Sequence, residues 1–254
     1  MRFKDRVAII TAGASGIGRA TAQIMAREGA VVVVADNNRT RLNEAVAALR
    51  ADGGLAEARE EDILDPAQVG KLIHEVAQQF GRIDILVNAV GGSTVVEKPA
   101  AATHELSFQD WQKLIDFNLN GTFLCCHAVA PIMMRQRAGK IVNLSSIAGR
   151  GLSVASSSAY AAAKGGIIAF TKKLAQELGP YNINVNAIAP SITLTERIRP
   201  HWEKRSQAAQ AEEIERTPLR RVAEAVDQAR VICFLASSDA DVVTGVTIDV
   251  TGGI

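Results

Sequence analysis

Short runs of β-branched and other apolar residues alternate along the chain with longer segments of helical periodicity. Seven runs predict strands: VAIIT (7–11), AVVVVA (30–35), LAEARE (55–60), IDILVNA (83–89), KIVNLSS (140–146), INVNAIA (183–189) and VTIDV (246–250). All but the polar run 55–60, which predicts an edge strand, are typical of strands buried on both faces. Helices are predicted near 16–28, 39–51, 66–80, 108–136, 159–179 and 223–236. Strands and helices that alternate in this way form right-handed crossovers, and hence a parallel sheet covered on both faces.

No composition break, linker or repeat divides the 254 residues. We therefore expect one α/β domain over 1–254, built on a doubly wound parallel sheet. The irregular stretch 191–217 is polar and charged. It is expected to form a small lid over a substrate pocket.

Charge and composition exclude several classes of partner. The net charge of +1 gives no electrostatic reason to expect nucleic acid or an anionic membrane. No apolar run approaches the roughly 20 residues of a membrane span, and MRFKDRVAIIT at the start lacks the features of a signal peptide. Three cysteines, two of them adjacent, and four scattered histidines predict neither disulfides nor a metal site. A cytoplasmic protein without bound metal is the expectation.

A glycine-rich turn, TAGASGIGRA (11–20), lies between the first predicted strand and the first predicted helix. Gly16 and Gly18 would let a pyrophosphate approach the backbone, and the helix N-terminus supplies N–H donors and a positive dipole end. Thr21 stands where the fingerprint GxGxxG would have its last glycine. A glycine turn without a ligand is therefore the alternative.

Asp36 ends the second predicted strand, 18 residues after Gly18. A carboxylate there can accept hydrogen bonds from ribose hydroxyls and would repel a 2′-phosphate. Because Asn37 rather than a basic residue follows, NAD is favoured over NADP, although Arg39 could still reach a phosphate. Alternatively Asp36 caps the following helix, a role that Asn37 or Asn38 could also fill.

Tyr160 lies four residues before Lys164 in SSSAYAAAKG (156–165), in a chain with only two tyrosines. On a helix these two side chains share a face, and the alanines between them leave room around the pair. The motif indicates a phenol and an ammonium that act together. An ordinary exposed lysine beside a partly buried tyrosine is the alternative.

Four separated motifs resemble those of the short-chain dehydrogenases/reductases, in order and over the full length of the chain. TAGASGIG (11–18) resembles TGxxxGxG, NAVG (88–91) resembles NNAG, FNLNGTF (117–123) carries an asparagine, and SSIAG (145–149) with YAAAK (160–164) resembles the serine and Tyr-x-x-x-Lys. The resemblance implies a Rossmann-type fold and a catalytic tetrad of Asn118, Ser146, Tyr160 and Lys164. Ser146 is preferred to Ser145 because it directly precedes Ile-Ala-Gly.

The same resemblance implies a set of residues that hold a nicotinamide dinucleotide. They are Thr11, Gly13, Ser15, Gly16, Ile17, Gly18, Asp36, Asp62, Ile63, Asn88, Tyr160, Lys164, Pro190, Ile192 and Thr195. The chain departs from the family pattern at Ala12, at Ala89 and Val90, and at Ser191. If position 12 needs a positive φ, alanine there is strained unless Gly13 absorbs the turn.

The resemblance implies reversible hydride transfer between nicotinamide and a secondary alcohol or ketone, with Tyr160 exchanging a proton with the substrate oxygen. Lowering a phenol pKa from about 10 to about 7 requires ~4 kcal/mol. One ammonium at about 4 Å with an effective dielectric near 20 supplies a similar amount. We therefore expect Lys164 to lower the pKa of Tyr160. Ser146 would hydrogen-bond the substrate oxygen, and Asn118 would hold a water that relays protons to Lys164.

The expected substrate is a small molecule, and its class is left open by the sequence. The early half of the lid carries a surplus of cations, which are Arg197, Arg199, Lys204 and Arg205 against Glu196 and Glu203. They would clamp a carboxylate or a phosphate-bearing carrier, or they form a solvated helix face. VGG (90–92) and EKP (97–99) resemble a subgroup that oxidises carboxylated cis-diols.

Three functions remain in competition. The leading one is an NAD-dependent dehydrogenase. The alternatives are an NADPH-dependent 3-oxoacyl reductase and a dinucleotide-sensing binding protein without chemistry. Asp36 speaks against the reductase, and an intact tetrad speaks against the sensor. The resemblance also implies a homotetramer in which helices 108–136 and 159–179 pair across one interface and the C-terminus lies in another.

Overall fold

The structure is a computed structural model that describes residues 1–153 and 155–254. Its strands are β1 (Val7–Thr11), β2 (Val31–Asp36), β3 (Leu55–Glu60), β4 (Ile85–Asn88), β5 (Gly139–Leu144), β6 (Ile183–Pro190), β7 (Thr193–Leu194), β8 (Ala223–Glu224) and β9 (Thr247–Val250). Its α-helices are α1 (Gly16–Arg27), α2 (Arg39–Ala51), α3 (Pro66–Phe80), α4 (Phe108–Ile115), α5 (Gly121–Gln136), α6 (Ser158–Leu178), α7 (Arg199–Glu203), α8 (Gln207–Arg216) and α9 (Ala225–Leu235). A π-helical turn spans Asp116–Asn120, and 3₁₀ turns span Ile147–Arg150, Gly179–Tyr181 and Ser238–Ala240.

The main sheet contains seven parallel strands in the order β3-β2-β1-β4-β5-β6-β9. The chain builds outward from β1 through β2 to β3 and then returns past β1 to form the other half of the sheet. This reversal opens a crevice at the carboxyl ends of β1 and β4, where doubly wound sheets bind ligands. The predicted α/β fold with a doubly wound parallel sheet is confirmed.

Alternate residues of each strand serve the two faces of the sheet. Ile10 belongs to a buried cluster that includes Met25 of α1 and side chains of α2 and α9. Its neighbour Ile9 belongs to the cluster on the opposite face, with Leu72 of α3 and Val129 of α5. Because both faces are covered, both sets of strand residues must be apolar, which explains the nearly continuous apolar runs. Strand β3 forms the edge of the sheet, as its polar sequence predicts.

The prediction of one continuous helix over 108–136 is wrong in its middle. The π-helical turn Asp116–Asn120 separates α4 from α5. Within it, the Asn118 side chain donates to the Leu114 carbonyl at 2.9 Å, and the Thr122 hydroxyl donates to the Asn118 carbonyl at 2.9 Å. These local side-chain bonds satisfy backbone groups that a regular α-helix would pair, and the periodicity of the sequence does not reveal them.

The stretch 191–217 is more ordered than its polar sequence predicts. It contains β7, α7 and α8, and the Ser206 hydroxyl caps α8 by accepting from the Ala209 N–H at 3.2 Å. Strand β7 pairs in parallel with β8 to form a separate two-stranded sheet. The prediction that 191–217 is irregular is therefore wrong, because a short helix with a cap needs no apolar periodicity of its own.

The helix predicted over 223–236 begins two residues later than expected, since Ala223 and Glu224 form β8. A reciprocal capping box between Glu224 and Asp227 sets the start of α9. In the described part of the chain, no helix combines the length and the apolar character that crossing a bilayer requires.

Candidate functional site

The glycine turn after β1 approaches the first turn of α1 so closely that side chains are excluded. A Cβ added to Gly18 would lie 2.5 Å from the Ala12 carbonyl oxygen. Gly16 has φ +54°, in the left-handed region that favours glycine. At the glycines of the turn, therefore, no side chain of the turn itself blocks the backbone N–H groups at the N-terminus of α1, where oxyanions are stabilised.

Ala12 itself adopts φ +48°. The sequence analysis anticipated strain if this position needed a positive φ, and the structure shows that it does. The expectation that Gly13 absorbs the turn is wrong, because its constraint is crowding: a Cβ there would lie 2.9 Å from the Ile10 carbonyl oxygen. Ala12 thus carries the conformational cost that a glycine would avoid.

The first N–H of α1 already donates to an anion. The Gly16 N–H donates to a carboxylate oxygen of Glu196 at 2.8 Å, and Thr195 packs on the same glycine, with its Cγ2 3.2 Å from an added Cβ. Ser15 is the N-cap residue but makes no capping bond with its side chain, and Ile17 lies in the first turn of α1. The segment 195–196 therefore covers the glycine turn, and the carboxylate shows that this turn accepts an oxyanion.

The carboxyl ends of β2 and β3 place two predicted residues along the crevice. Asp36 accepts from the Asn38 N–H at 3.0 Å, and Asn38 caps α2, so Asp36 is not the helix cap. Arg39 pairs with Glu60 at 3.1 Å, so this base is already engaged by a carboxylate. Beyond β3, Asp62 accepts from the Leu64 N–H at 3.0 Å.

Ile63 packs against the start of α5. It is buried, and its Cδ1 lies 2.3 Å from where a Cβ on Gly121 would be. The residue is therefore fixed where β3 leads into α3, by contact with the helix on the same face of the sheet. Substitution of Gly121 would push it away.

Asn88 ends β4 and directs its side chain away from the crevice. Its Nδ2 donates to Asn143 Oδ1 at 2.9 Å and to the sulfur of Cys126 at 3.2 Å. The amide therefore points into the interior between β4, β5 and α5, and its buried Oδ1 has no hydrogen-bond partner in the described residues. Two buried polar groups engage this side chain, and the cofactor contact assigned to Asn88 stays a prediction.

The Thr11 side chain, like that of Asn88, bonds within the sheet. Its hydroxyl accepts from the Ala89 N–H at 3.1 Å and thereby ties β1 to β4. Replacement of the usual asparagine by Ala89 consequently leaves the central strands connected, through Thr11 and through the Asn88–Asn143 pair. These contacts lie directly beneath the crevice.

Helix α6 brings together three of the four predicted catalytic residues. Lys164 is 2% exposed, and its Nζ donates to the Leu144 carbonyl at 2.8 Å. The same Nζ lies 5.7 Å from the centre of the Tyr160 ring. The Ser146 hydroxyl caps the 3₁₀ turn by accepting from the Ala148 N–H at 3.1 Å, and its interaction with Tyr160 contributes to lowering the pKa of the phenol.

The two candidate serines have different surroundings. Ser145 is buried, and its hydroxyl donates to the Lys164 carbonyl at 2.8 Å. Ser145 therefore attaches α6 to the end of β5, whereas Ser146 contributes to lowering the pKa of the Tyr160 phenol. This division favours the choice of Ser146 over Ser145.

Burial dominates the electrostatics of the pair. Although part of Tyr160 is exposed, loss of hydration raises the pKa of its phenol, while the hydrogen bond with Ser146 and the charge of Arg197 lower it to a smaller extent. Burial also lowers the pKa of Lys164 to about 7, with a further contribution from Arg197. The net shift of the Tyr160 pKa in this arrangement is therefore upward, because desolvation is its largest cause. The lowering of this pKa by Lys164 stays a prediction.

Asn118 is buried beside Lys164 and holds the segment after β4. Its Oδ1 accepts from the Gly92 N–H at 2.9 Å, and its Nδ2 donates to the Gly92 carbonyl at 3.1 Å. A Cβ on Gly91 would lie 2.7 Å from Lys164 Nζ and 2.8 Å from Asn118 Oδ1. The amine and the amide therefore both abut Gly91, where a side chain would displace them. The water relay assigned to Asn118 stays a prediction.

The segment after β6 passes over the same crevice. Pro190 is buried and pairs with Val250 of β9, Ile192 is half-buried, and the Ser191 hydroxyl donates to the Thr251 carbonyl at 3.4 Å. Arg197, which the sequence analysis treated only as one of several lid cations, donates to the Gly91 carbonyl at 3.2 Å. The surplus of cations in the sequence pointed to the lid as a whole, but no sequence motif pointed to Arg197 itself.

Comparisons with known proteins agree with this geometry. A family profile described as enoyl-(acyl carrier protein) reductase matches residues 11–254. The chain is 37% identical over 254 residues to the 3-oxoacyl-[acyl-carrier-protein] reductase FabG of Thermotoga maritima, covering 100% of this chain and 99% of that protein. It is 38% identical over 253 residues to the (2S)-[(R)-hydroxy(phenyl)methyl]succinyl-CoA dehydrogenase subunit BbsD of Thauera aromatica, with 100% and 98% coverage.

A solved structure is similar over the whole chain. The 3-oxoacyl-[acyl-carrier protein] reductase of Brucella melitensis with bound NAD matches with a TM-score of 0.89 and 35% identity, covering 100% of this chain and 92% of that one. The protein belongs to the short-chain dehydrogenase/reductase family. It is an NAD(P)-dependent oxidoreductase that acts on CH–OH groups.

The strain at Ala12 predicts a stabilising substitution. Ala12→Gly is expected to raise the free energy of unfolding by about 0.5–1 kcal/mol, because relief of a left-handed alanine outweighs the added flexibility of the unfolded chain. Urea denaturation measures the change. Ala14→Gly, in the same turn at a buried position outside the left-handed region, is the control and should destabilise the protein. Equal destabilisation by both would contradict the assignment of strain.

The buried amine predicts a pH-dependent stability. Because the pKa of Lys164 is lowered to about 7 in the folded protein, the unfolded chain binds more protons above that pH. The free energy of unfolding of the wild type relative to Lys164→Met should therefore rise from pH 7 toward pH 10, by at most about 1.4 kcal/mol per pH unit. Urea titrations at a series of pH values measure it. Lys172→Met removes an exposed lysine from the same helix, and the free energy of unfolding of the wild type relative to this variant should not change with pH; a rise equal to that seen against Lys164→Met would refute the prediction.

Proposed function

We propose that the protein is an NAD-preferring dehydrogenase that transfers hydride between nicotinamide and a secondary alcohol or ketone. The observation that carries the proposal is the convergence of Tyr160, Ser146 and Lys164 at the carboxyl end of β5. The serine contributes to lowering the pKa of the phenol, and the amine lies 5.7 Å from the ring centre. The spacing of these groups matches what proton exchange with a substrate oxygen requires.

The residues around the crevice fit a dinucleotide. The exposed N–H of Gly16 and the close approach at Gly18 support binding of a pyrophosphate, which would take the position of the Glu196 carboxylate. Asp36 at the end of β2 would accept hydrogen bonds from the adenosine ribose, with Pro190, Ile192 and Thr195 near the other end of the ligand. The dinucleotide would supply the hydride donor or acceptor.

Tyr160 would act as the general acid and base. A phenol with a raised pKa is protonated at neutral pH and can donate its proton to a ketone oxygen during reduction. Alcohol oxidation needs the phenolate, which the cationic form of Lys164 and the guanidinium of Arg197 would stabilise. Ser146 would orient the hydroxyl and hydrogen-bond the substrate oxygen as charge develops on it.

The stretch 191–217 would close the substrate pocket. Glu196 contacts the glycine turn, and Arg197 contacts the segment after β4, so two consecutive residues bridge both sides of the crevice. These contacts support the lid function proposed for the stretch. Its cations favour an acidic substrate.

Two further properties belong to the proposal. A homotetramer is supported by the exposed aromatic side chains of Phe108 (72%) and Phe123 (46%) on α4 and α5, since such surfaces favour association. A cytoplasmic location is supported by three buried free thiols, which suit a reducing compartment.

A second candidate is an NADPH-dependent 3-oxoacyl reductase. The names of the relatives from Thermotoga maritima and Brucella melitensis favour it. Asp36 opposes it, because a carboxylate there would repel a 2′-phosphate, and Arg39 is paired with Glu60 at 3.1 Å. A dinucleotide-sensing protein without chemistry is the third candidate.

Loss of the phenol hydroxyl tests the chemistry. Tyr160→Phe is expected to lower kcat/KM for alcohol oxidation and ketone reduction by about 10²- to 10⁴-fold, because the general acid is removed. Dinucleotide binding, followed by thermal shift, should be retained. Tyr181→Phe, at the other tyrosine of the chain, is the matched control. Unchanged activity in Tyr160→Phe would favour the sensing protein instead.

Removal of the carboxylate at the end of β2 tests the cofactor preference. Asp36→Ala is expected to raise the ratio of kcat/KM with NADP to that with NAD by about 10- to 100-fold, since repulsion of the 2′-phosphate and ribose hydrogen bonds are both lost. Asp52→Ala is the control. It removes an exposed carboxylate that pairs with Arg27 and should leave the ratio unchanged. A wild-type preference for NADP would support the reductase reading.

A further inference from the structure

We infer that Arg197 selects the substrate by binding a carboxylate close to the reacting carbon, so that the natural substrate is a small hydroxy acid or keto acid. The inference rests on the proposed function and adds the residue and the substrate class. Sequence analysis gave four lid cations equal standing. The contacts of the structure distinguish one of them.

The guanidinium of Arg197 lies directly against the segment that borders the catalytic pair. Its Nη2 donates to the Gly91 carbonyl at 3.2 Å. A Cβ on Gly92 would lie 2.7 Å from both Nη1 and Nη2, so the arginine covers a surface that only glycine leaves free. On the other side of the same segment, Gly91 abuts Lys164 and Asn118. Arg197 is therefore separated from the catalytic amine by one backbone segment.

Arg199 and Arg205, the two other arginines in the early half of the lid, are paired with carboxylates. Arg199 pairs with Glu224 at 2.6 Å, and Arg205 pairs with Glu213 at 3.8 Å while stacking on Trp202. Within the described residues, no carboxylate forms an ion pair with Arg197. The positive charge facing the crevice is thus left for a ligand.

The unused donors of Arg197 suit a carboxylate. A guanidinium offers five N–H donors in a planar fork, and the contact with Gly91 engages only Nη2. Two parallel N–H donors match the two oxygens of a carboxylate. A lysine in this place would supply charge without that geometry.

Position favours a carboxylate on the substrate itself over a phosphate on a distant carrier. The charge of Arg197 contributes to lowering the pKa of both Tyr160 and Lys164, which is expected of a cation close to the pair. Because Arg197 lies against Gly91 and Gly92, and Gly91 abuts Lys164, an anion bound to Arg197 would lie one backbone segment from the catalytic pair. A carrier-bound thioester would present its phosphate much farther from the reacting carbon.

The test compares a short 3-hydroxy acid, its methyl ester and its acyl thioester under saturating NAD. Wild type should prefer the acid. Arg197→Met should lower kcat/KM for the acid by about 10- to 100-fold, mainly through KM, and change the value for the ester by less than about twofold. Arg197→Lys should retain part of the preference, because charge remains while the fork is lost. Lys204→Met removes an exposed lid cation that forms no ion pair within the described residues, and should match wild type.

Several results would overturn the inference. They are an equal loss for acid and ester in Arg197→Met, a raised KM for NAD with an unchanged KM for the acid, an equal effect of Lys204→Met, and a wild-type preference for the thioester. Turnover of neutral alcohols with no preference for acids would contradict this inference and leave the proposed function intact. No turnover of any alcohol or ketone with NAD or NADP would sink both.

Discussion

The attachment of α6 to the carboxyl end of β5 is the interaction on which the site depends. The Ser145 hydroxyl donates to the Lys164 carbonyl, and Lys164 Nζ donates to the Leu144 carbonyl, both at 2.8 Å. This attachment needs close approach, since a Cβ on Gly149 would lie 2.6 Å from the carbonyl carbon of Lys164. Once α6 is held there, Tyr160 must face Ser146, because the helix fixes the angle between the phenol and the amine.

The same attachment makes ionisation of the two catalytic side chains energetically unfavourable. It buries an amine and crowds a phenol, so the pKa of Lys164 falls to about 7 and that of Tyr160 rises. Both shifts oppose ionisation, which leaves the proton on the phenol unless further positive charge approaches. Arg197 is the cation that the lid contributes, and its position links closure over the crevice to the proton chemistry of the pair.

The strands and the main helices were predictable because their signals are local and repeated. Continuous apolar runs such as VVVV in β2 indicate burial on both faces of the sheet, and the charged residues of β3 indicate a strand at the edge of the sheet. Prediction failed where a side chain replaces a backbone partner. Asn118 and Thr122 sustain a π-helical turn inside an apparently continuous helix, and Ser206 starts α8 without an apolar stripe.

The sequence by itself determined the fold class, the glycine turn and the Tyr160–Lys164 pair, because each follows from periodicity or from spacing along one element. Only the tertiary structure decided that Asn88 turns toward Asn143, that Glu196 reaches the Gly16 N–H, and that Arg197 rather than Arg199 faces the crevice. These choices depend on competition among partners that are distant in the chain. Sequence spacing carries no information about which of several polar groups a folded backbone brings within hydrogen-bonding distance first.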